Sequence, residues 1–219
     1  MTRKLKTGLL ADTETTGLKP GSDEIIELGL ILFSFDEETG EIVDVLEEAE
    51  FLREPLSPSA IRNYPGAFRV HGIPFNSVKG KVFDDEKIMK LFGYSEAVLA
   101  HNATFDRSFL YHMYPEVNER NWYCTMRNIP WKQYGFQSGS LLSLLKAHGI
   151  SGSQQHRAMD DIVQLMALLK HPNQDGYPYL REVLSKKPMR KYEPGGARTG
   201  YRNWRTGNKG ASSTNSWGS

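Results

Sequence analysis

A mixed α/β fold, with a sheet led by an antiparallel meander and helices gathered later in the chain, is predicted by three observations. Runs rich in apolar residues at 9–14, 25–35 and 42–51 fall within the first quarter of the 219-residue sequence and read as strands. The segment DEETG between the second and third runs supplies the polar residues and the glycine of a hairpin loop. Helical spacing then takes over, most plainly over residues 140–148 and 157–170.

The elements follow in order. After the meander, Pro55, Pro58 and Pro65 mark a loop. Residues 85–92 form a short helix closed by Gly93, and residues 97–100 form a strand that runs into HNATFD. There Thr104 is the candidate cap of a helix starting at Phe105. A short strand at 122–124 precedes the helix at 140–148, which Gly149 stops, and the helix from Arg157 to Lys170 ends before Pro172. No internal repeat is present.

With 39% apolar residues, the chain can build one sizeable core but not two full domains. The net charge of +1 conceals an asymmetry. Eight of the 27 basic side chains but one of the 26 acidic ones lie in residues 186–219, which leaves 19 against 25 in the rest, a balance of −6. The expected division is a domain at 1–185 and a basic, Gly-, Ser- and Arg-rich tail at 186–219 that stands off the core. Cys124 is the only cysteine, so no internal disulfide can form, which suits a reducing compartment. No apolar run is long enough for a membrane span and no signal-peptide core precedes Asp12, so a cytoplasmic location is expected.

Three short motifs carry the chemistry. In LLADTETTGL, Asp12 and Glu14 stand two apart on a strand and point to one face, while Thr13 points away. Carboxylates this close repel unless a cation or a shared proton relieves them, and oxygen donors without clustered Cys or His favour Mg²⁺ or Mn²⁺. Taken alone, such a pair is far more often a solvated strand end. In HNATFD, Asp106 falls in a first helical turn, where the backbone favours an anion. In HRAMDD, Asp161 shares the inward stripe of Ala158, Leu165 and Leu169, whereas Asp160 lies with Arg157 and Gln164 on the wet side. His156, just ahead of that helix, is the side chain type that exchanges a proton near neutrality.

Together and in this order, DTETTG, HNATFD and HRAMDD resemble the three exonuclease motifs of the DnaQ-like superfamily, in its DEDDh branch of 3′–5′ exonucleases. The resemblance covers residues 9–170 and includes VHGI at 70–73 and YCTMRN at 123–128. A sister branch has tyrosine four residues before the last Asp, where this chain has Arg157, so the histidine branch is the match. The resemblance implies a ribonuclease H-like mixed sheet with a three-stranded antiparallel meander and helices on both faces. It implies that Asp12, Glu14, Asp106 and Asp161 hold two divalent cations, Mg²⁺ or Mn²⁺, and that His156 is the general base for hydrolysis of the terminal phosphodiester, releasing nucleoside 5′-monophosphates. Backbone groups of Thr13, Thr15 and Thr16, together with Phe105 or nearby apolar side chains, would cradle the terminal nucleotide.

The motif flavour favours DNA, as single strands or frayed 3′ ends, with a DNA polymerase or replication partner in view. An RNA 3′-trimming exoribonuclease and a non-catalytic nucleic-acid-binding module are the alternatives. In the tail, Arg198, Tyr201, Arg202, Trp204 and Arg205 alternate cations with rings, the combination that binds single strands without sequence preference.

Overall fold

The structure is a computed structural model and describes residues 3–150 and 156–194. A five-stranded sheet forms its centre, in the order β3 (Ile42–Leu52), β2 (Ile25–Asp36), β1 (Leu5–Thr15), β4 (Ala97–Ala100), β5 (Trp122–Cys124). The first three strands pair antiparallel, and β4 and β5 run parallel to β1, so the sheet is mixed as expected. Strand β2 is buried along its whole length, which its nearly continuous apolar sequence requires of a strand covered on both faces. Edge strand β3 is breached by two register shifts and carries exposed acidic residues, both of which discourage pairing with another chain.

Alternation along β1 assigns the two layers. Leu9 and Ala11 join Leu28, Leu30 and Phe51 on one face, beneath α3 (Asp85–Tyr94) and α4 (Thr104–Met113). Leu10 joins Ile31, Phe33 and Leu99 on the other, beneath α6 (Leu141–Ala147), α7 (Ala158–Lys170) and α8 (Tyr179–Leu184). Asp12 and Glu14 continue the parity of Leu10, so they lie on the α7 side. That alternation decides where the acids meet their partners. No helix among the described residues is long and apolar enough to cross a membrane.

Three sequence expectations are corrected. The loop expected around Pro58 and Pro65 is helix α1 (Pro58–His71), which leads into the single turn α2 (Phe75–Val78). Ser57 caps α1 by accepting from the Ala60 N–H, Pro58 sits in the first turn where no intrahelical donor is needed, and Gly72 closes the helix at φ 66°. Pro65 costs one internal hydrogen bond, which burial of Tyr64 against Ile26, Ile73 and Val78 offsets. Helix α3 runs through Gly93 to Tyr94 instead of stopping at the glycine, and α4 is capped by Ala103, with Thr104 as its first residue.

Residues 186–194, expected to stand off the core, lie against it. Met189 packs against the α4-side core and donates its N–H to the Trp122 carbonyl at 2.8 Å, covering the free edge of β5. Tyr192 exchanges two backbone hydrogen bonds with the Asn118 side chain, in the 3₁₀ turn Pro115–Glu119, and sets its ring edge-on to Tyr111. Lys191 pairs with Glu119. The chain is therefore held as far as Tyr192, and no break falls at 185. Residues 195–219, with Arg198, Tyr201, Arg202, Trp204 and Arg205, lie outside the described residues.

Candidate active site

The site is built where β1 ends. Glu14 from β1, Asp161 from the first turn of α7 and His156 just before α7 offer ligand atoms that all lie within 4.8 Å of one another. Glu14 and Asp161 are each only 4% exposed. Two buried carboxylates at this separation repel strongly, and a bound cation is the ordinary relief. The donor set, oxygen-rich with one imidazole, fits a hard divalent ion. Asp160 is exposed while Asp161, Ala158, Leu165 and Leu169 are buried, which is the helix phase that the apolar spacing predicts.

Asp106 approaches the same strand end from the opposite layer. It lies in the first turn of α4, is buried, and its Oδ1 accepts from the Thr13 N–H at 3.0 Å and the Thr13 hydroxyl at 2.8 Å. Thr13 points away from its neighbours Asp12 and Glu14, so β1 carries acids toward α7 and a threonine toward α4. Asp12, half-buried, lies opposite Gly29 in register but is not part of the tight cluster of Glu14, His156 and Asp161. The structure thus gathers three of the five expected catalytic residues tightly and ties a fourth to the strand between them.

The residues expected to cradle a nucleotide serve the framework. The Thr15 hydroxyl donates to the Gly17 carbonyl and the Thr16 hydroxyl accepts from the Glu24 N–H, and both side chains are buried, as is that of Thr13. Phe105 is 8% exposed and packs against Phe109 at a ring distance of 4.9 Å. The hydroxyls of Thr13, Thr15 and Thr16 are thus engaged within the protein.

Two histidines outside the cluster hold neighbouring turns. His101 bridges from the end of β4 to Thr125, in the turn α5 (Thr125–Asn128), and to the Gly139 carbonyl, at 2.9 and 2.8 Å. The neutral tautomer with hydrogen on Nε2 satisfies both partners, donating to Gly139 and accepting from the Thr125 hydroxyl. Desolvation of the ring pushes its pKa down to about 4. Asn102, next in the chain, takes φ 69°, and this turn delivers Asp106 to the strand. His71 of the VHGI segment is buried and accepts the Ile73 N–H on Nδ1.

The family model described as Exonuclease matches residues 9–169. The chain belongs to the exonuclease family. Exodeoxyribonuclease 10 of Escherichia coli K12 is 31% identical over 164 residues, which are 73% of this chain and 66% of that protein. The DNA polymerase III PolC-type protein of Thermotoga petrophila is 31% identical over 160 residues, 71% of this chain but only 11% of the polymerase. Ribonuclease T of Shewanella baltica is 24% identical over 155 residues, 65% of each. The chain spans about a ninth of the polymerase and just under two thirds of the exodeoxyribonuclease. Among solved structures, the zinc-bound E. coli ExoI–ssDNA complex shares the fold with a TM-score of 0.59 at 21% identity, over 75% of this chain and 40% of that one.

In this member of the exonuclease family the match runs from Leu9 in β1 to Leu169 in α7, so it contains every element that builds the cluster. Residues that sequence reasoning missed lie on β2. Glu27 is fully buried and pairs with Arg157, and Gly29 lets the start of α7 lie against the strand. Burial pushes the Glu27 pKa above the usual carboxylate range, against the pull of Arg157 and the Ala158 N–H. A signal was present in the sequence: an acid inside the run IIELGLIL can be buried only with a partner.

Proposed function

We propose that this exonuclease removes nucleotides from the 3′ ends of DNA, as single strands or frayed ends, in a reaction that depends on two Mg²⁺ or Mn²⁺ ions and releases nucleoside 5′-monophosphates. The observation that carries the reading is the convergence of the buried Glu14 and Asp161 carboxylates with the His156 imidazole within 4.8 Å, on elements far apart in sequence. Divalent cations at such a site neutralise the phosphate and make water acidic enough to attack.

Glu14 and Asp161, together with Asp12, would hold the ions on the α7 side of β1, and Asp106 would support them from the α4 side. A ring nitrogen of His156 takes the proton from the attacking water, the task for which imidazole is the usual side chain. The exposed Asp160 takes no part. Phe105 and the buried threonines give the rim its shape, and the cations and rings at Arg198, Tyr201, Arg202, Trp204 and Arg205 bind the single strand beyond the site.

Similarity to an exodeoxyribonuclease and to a DNA polymerase at 31% identity, against 24% for a ribonuclease, favours DNA and a replication or repair setting, with a polymerase as a candidate partner. The likeness to Ribonuclease T supports RNA trimming as the second reading. Digestion of single-stranded DNA, duplex DNA and RNA of one sequence, side by side with Mg²⁺, separates them. Faster loss of the single-stranded DNA is expected, and preferential loss of RNA would transfer the proposal to the second reading.

A further inference from the structure

Three buried acids, not two, lie on the α7 side of the sheet, and the third has a task of its own. Glu27 lies directly opposite Glu14 in the β1–β2 register and is 0% exposed. Its Oε1 accepts from Arg157 Nε at 2.8 Å and lies 2.5 Å from Nη2 in an ion pair, and its Oε2 accepts the Ala158 N–H at 2.8 Å. Arg157 also reaches Glu50 on β3 at 2.8 Å. The first residues of α7 are thus fastened to two adjacent strands. Helix α7 has no side-chain cap of its own at Arg157, and Glu27 supplies the acceptor that a cap would provide.

Gly29, two residues along β2 and opposite Asp12, completes the attachment. A Cβ there would fall 2.8 Å from the Ala158 carbonyl carbon and 2.9 Å from the Met159 nitrogen. Both are backbone atoms, so a side chain at 29 can be accommodated only by shifting the helix. The fastened residues sit between the two groups that matter. His156 immediately precedes them, with φ 53°, a backbone region that non-glycine residues rarely occupy, and Asp161 follows one turn later, its N–H bonded to the Arg157 carbonyl at 2.9 Å.

We infer that Glu27 and Arg157, with Gly29, are positioning residues that set the distance of His156 and Asp161 from Glu14 by locking the start of α7 to β2. The inference rests on the reading of Glu14, His156 and Asp161 as the metal site. Burying the Glu27 carboxylate under a half-exposed arginine is a costly way to obtain stability alone, since apolar side chains of similar volume serve as well or better. What the pair adds is a directional hold at one point of the backbone. It also keeps the carboxylate of Glu27, the cross-strand neighbour of Glu14, engaged with the helix.

The test uses the full chain with Glu27→Gln, Arg157→Lys, Gly29→Ala and the double variant Glu27→Gln/Arg157→Met, which leaves no unpaired buried charge and so guards against misfolding. Circular dichroism reports folding, calorimetric titration with Mn²⁺ alone reports the site, and hydrolysis of a single-stranded oligonucleotide gives kcat and KM. Loss of partners that orient metal ligands typically weakens affinity or rate roughly 10- to 100-fold. Losses of that size are expected in Mn²⁺ affinity and kcat for folded Glu27→Gln, Gly29→Ala and the double variant, with KM changed less than about twofold and Arg157→Lys recovering part of the loss. The inference is overturned if the folded variants keep wild-type Mn²⁺ affinity and kcat, or if lost activity merely tracks the unfolded fraction. Should the wild-type protein bind Mn²⁺ without cleaving DNA, the proposed activity fails while the titration still decides the positioning.

Discussion

His101 allows a prediction whose size can be worked from the structure. Its ring is held between Thr125 and Gly139 in the neutral form, with a pKa pushed down to about 4, whereas an unfolded histidine titrates near 6.5. Between these values the unfolded chain binds a proton that the folded one refuses. The neutral ring's contribution is therefore complete above pH 6.5 and is lost as pH falls toward 4, by about 3 kcal/mol at most. Glu27, which burial shifts upward, titrates in the opposite sense, so the comparison must be with a variant in which only His101 is changed. Urea unfolding of wild type and His101→Gln at pH 7.5, 6.5, 5.5 and 4.5 provides it. The stability difference between the two should be largest at pH 7.5 and shrink steadily through the acid range. A difference that stays constant from pH 7.5 to 4.5 would show that His101 is not held neutral and would refute the reasoning.

Other expectations follow from the same geometry. Asp161→Asn should abolish hydrolysis while Asp160→Asn keeps most of it, because the first is buried in the cluster and the second is exposed; steady-state rates on a single-stranded oligonucleotide check this. Replacing His156 by Ala should lower kcat by roughly 10²-fold or more, the usual cost of a lost general base, and single-turnover kinetics would show it. Truncation after residue 194 should leave Tm unchanged and weaken the salt-dependent binding of long single strands. Truncation after residue 185 should lower Tm by roughly 5–10 °C, through loss of the Met189 packing and the Asn118–Tyr192 hydrogen bonds. Scanning calorimetry of the two truncations separates docking from nucleic-acid binding.

The parts of this molecule that were legible in its sequence are those governed by local periodicity. Alternation along β1 put Asp12 and Glu14 on one face, and the stripe of Ala158, Leu165 and Leu169 put Asp161 inward and Asp160 outward; both follow from the repeat of a single element. Helix α1 was hidden by its own prolines: Pro58 is a start signal, but Pro65 reads as a breaker unless the buried Tyr64 is known to hold the helix down. The docking of Met189 and Tyr192 depends on Trp122 and Asn118, about 70 residues earlier, and no local pattern encodes such partners. The same holds for the partners of the Thr13, Thr15 and Thr16 hydroxyls, which are engaged within the protein. Glu27 is the intermediate case, because a lone acid in an apolar strand announces that a partner exists without naming Arg157.

Metal-dependent removal of nucleotides from a 3′ end by the cluster of Glu14, His156 and Asp161 is the central claim. Its most direct test is a time course on a 5′-end-labelled single-stranded oligonucleotide with Mg²⁺, run in parallel with excess chelator. The account predicts a descending ladder of labelled products, shortened one nucleotide at a time from the unlabelled end, and no products in chelator. Immediate release of the 5′ label as a mononucleotide, or an unchanged ladder in chelator, would contradict it.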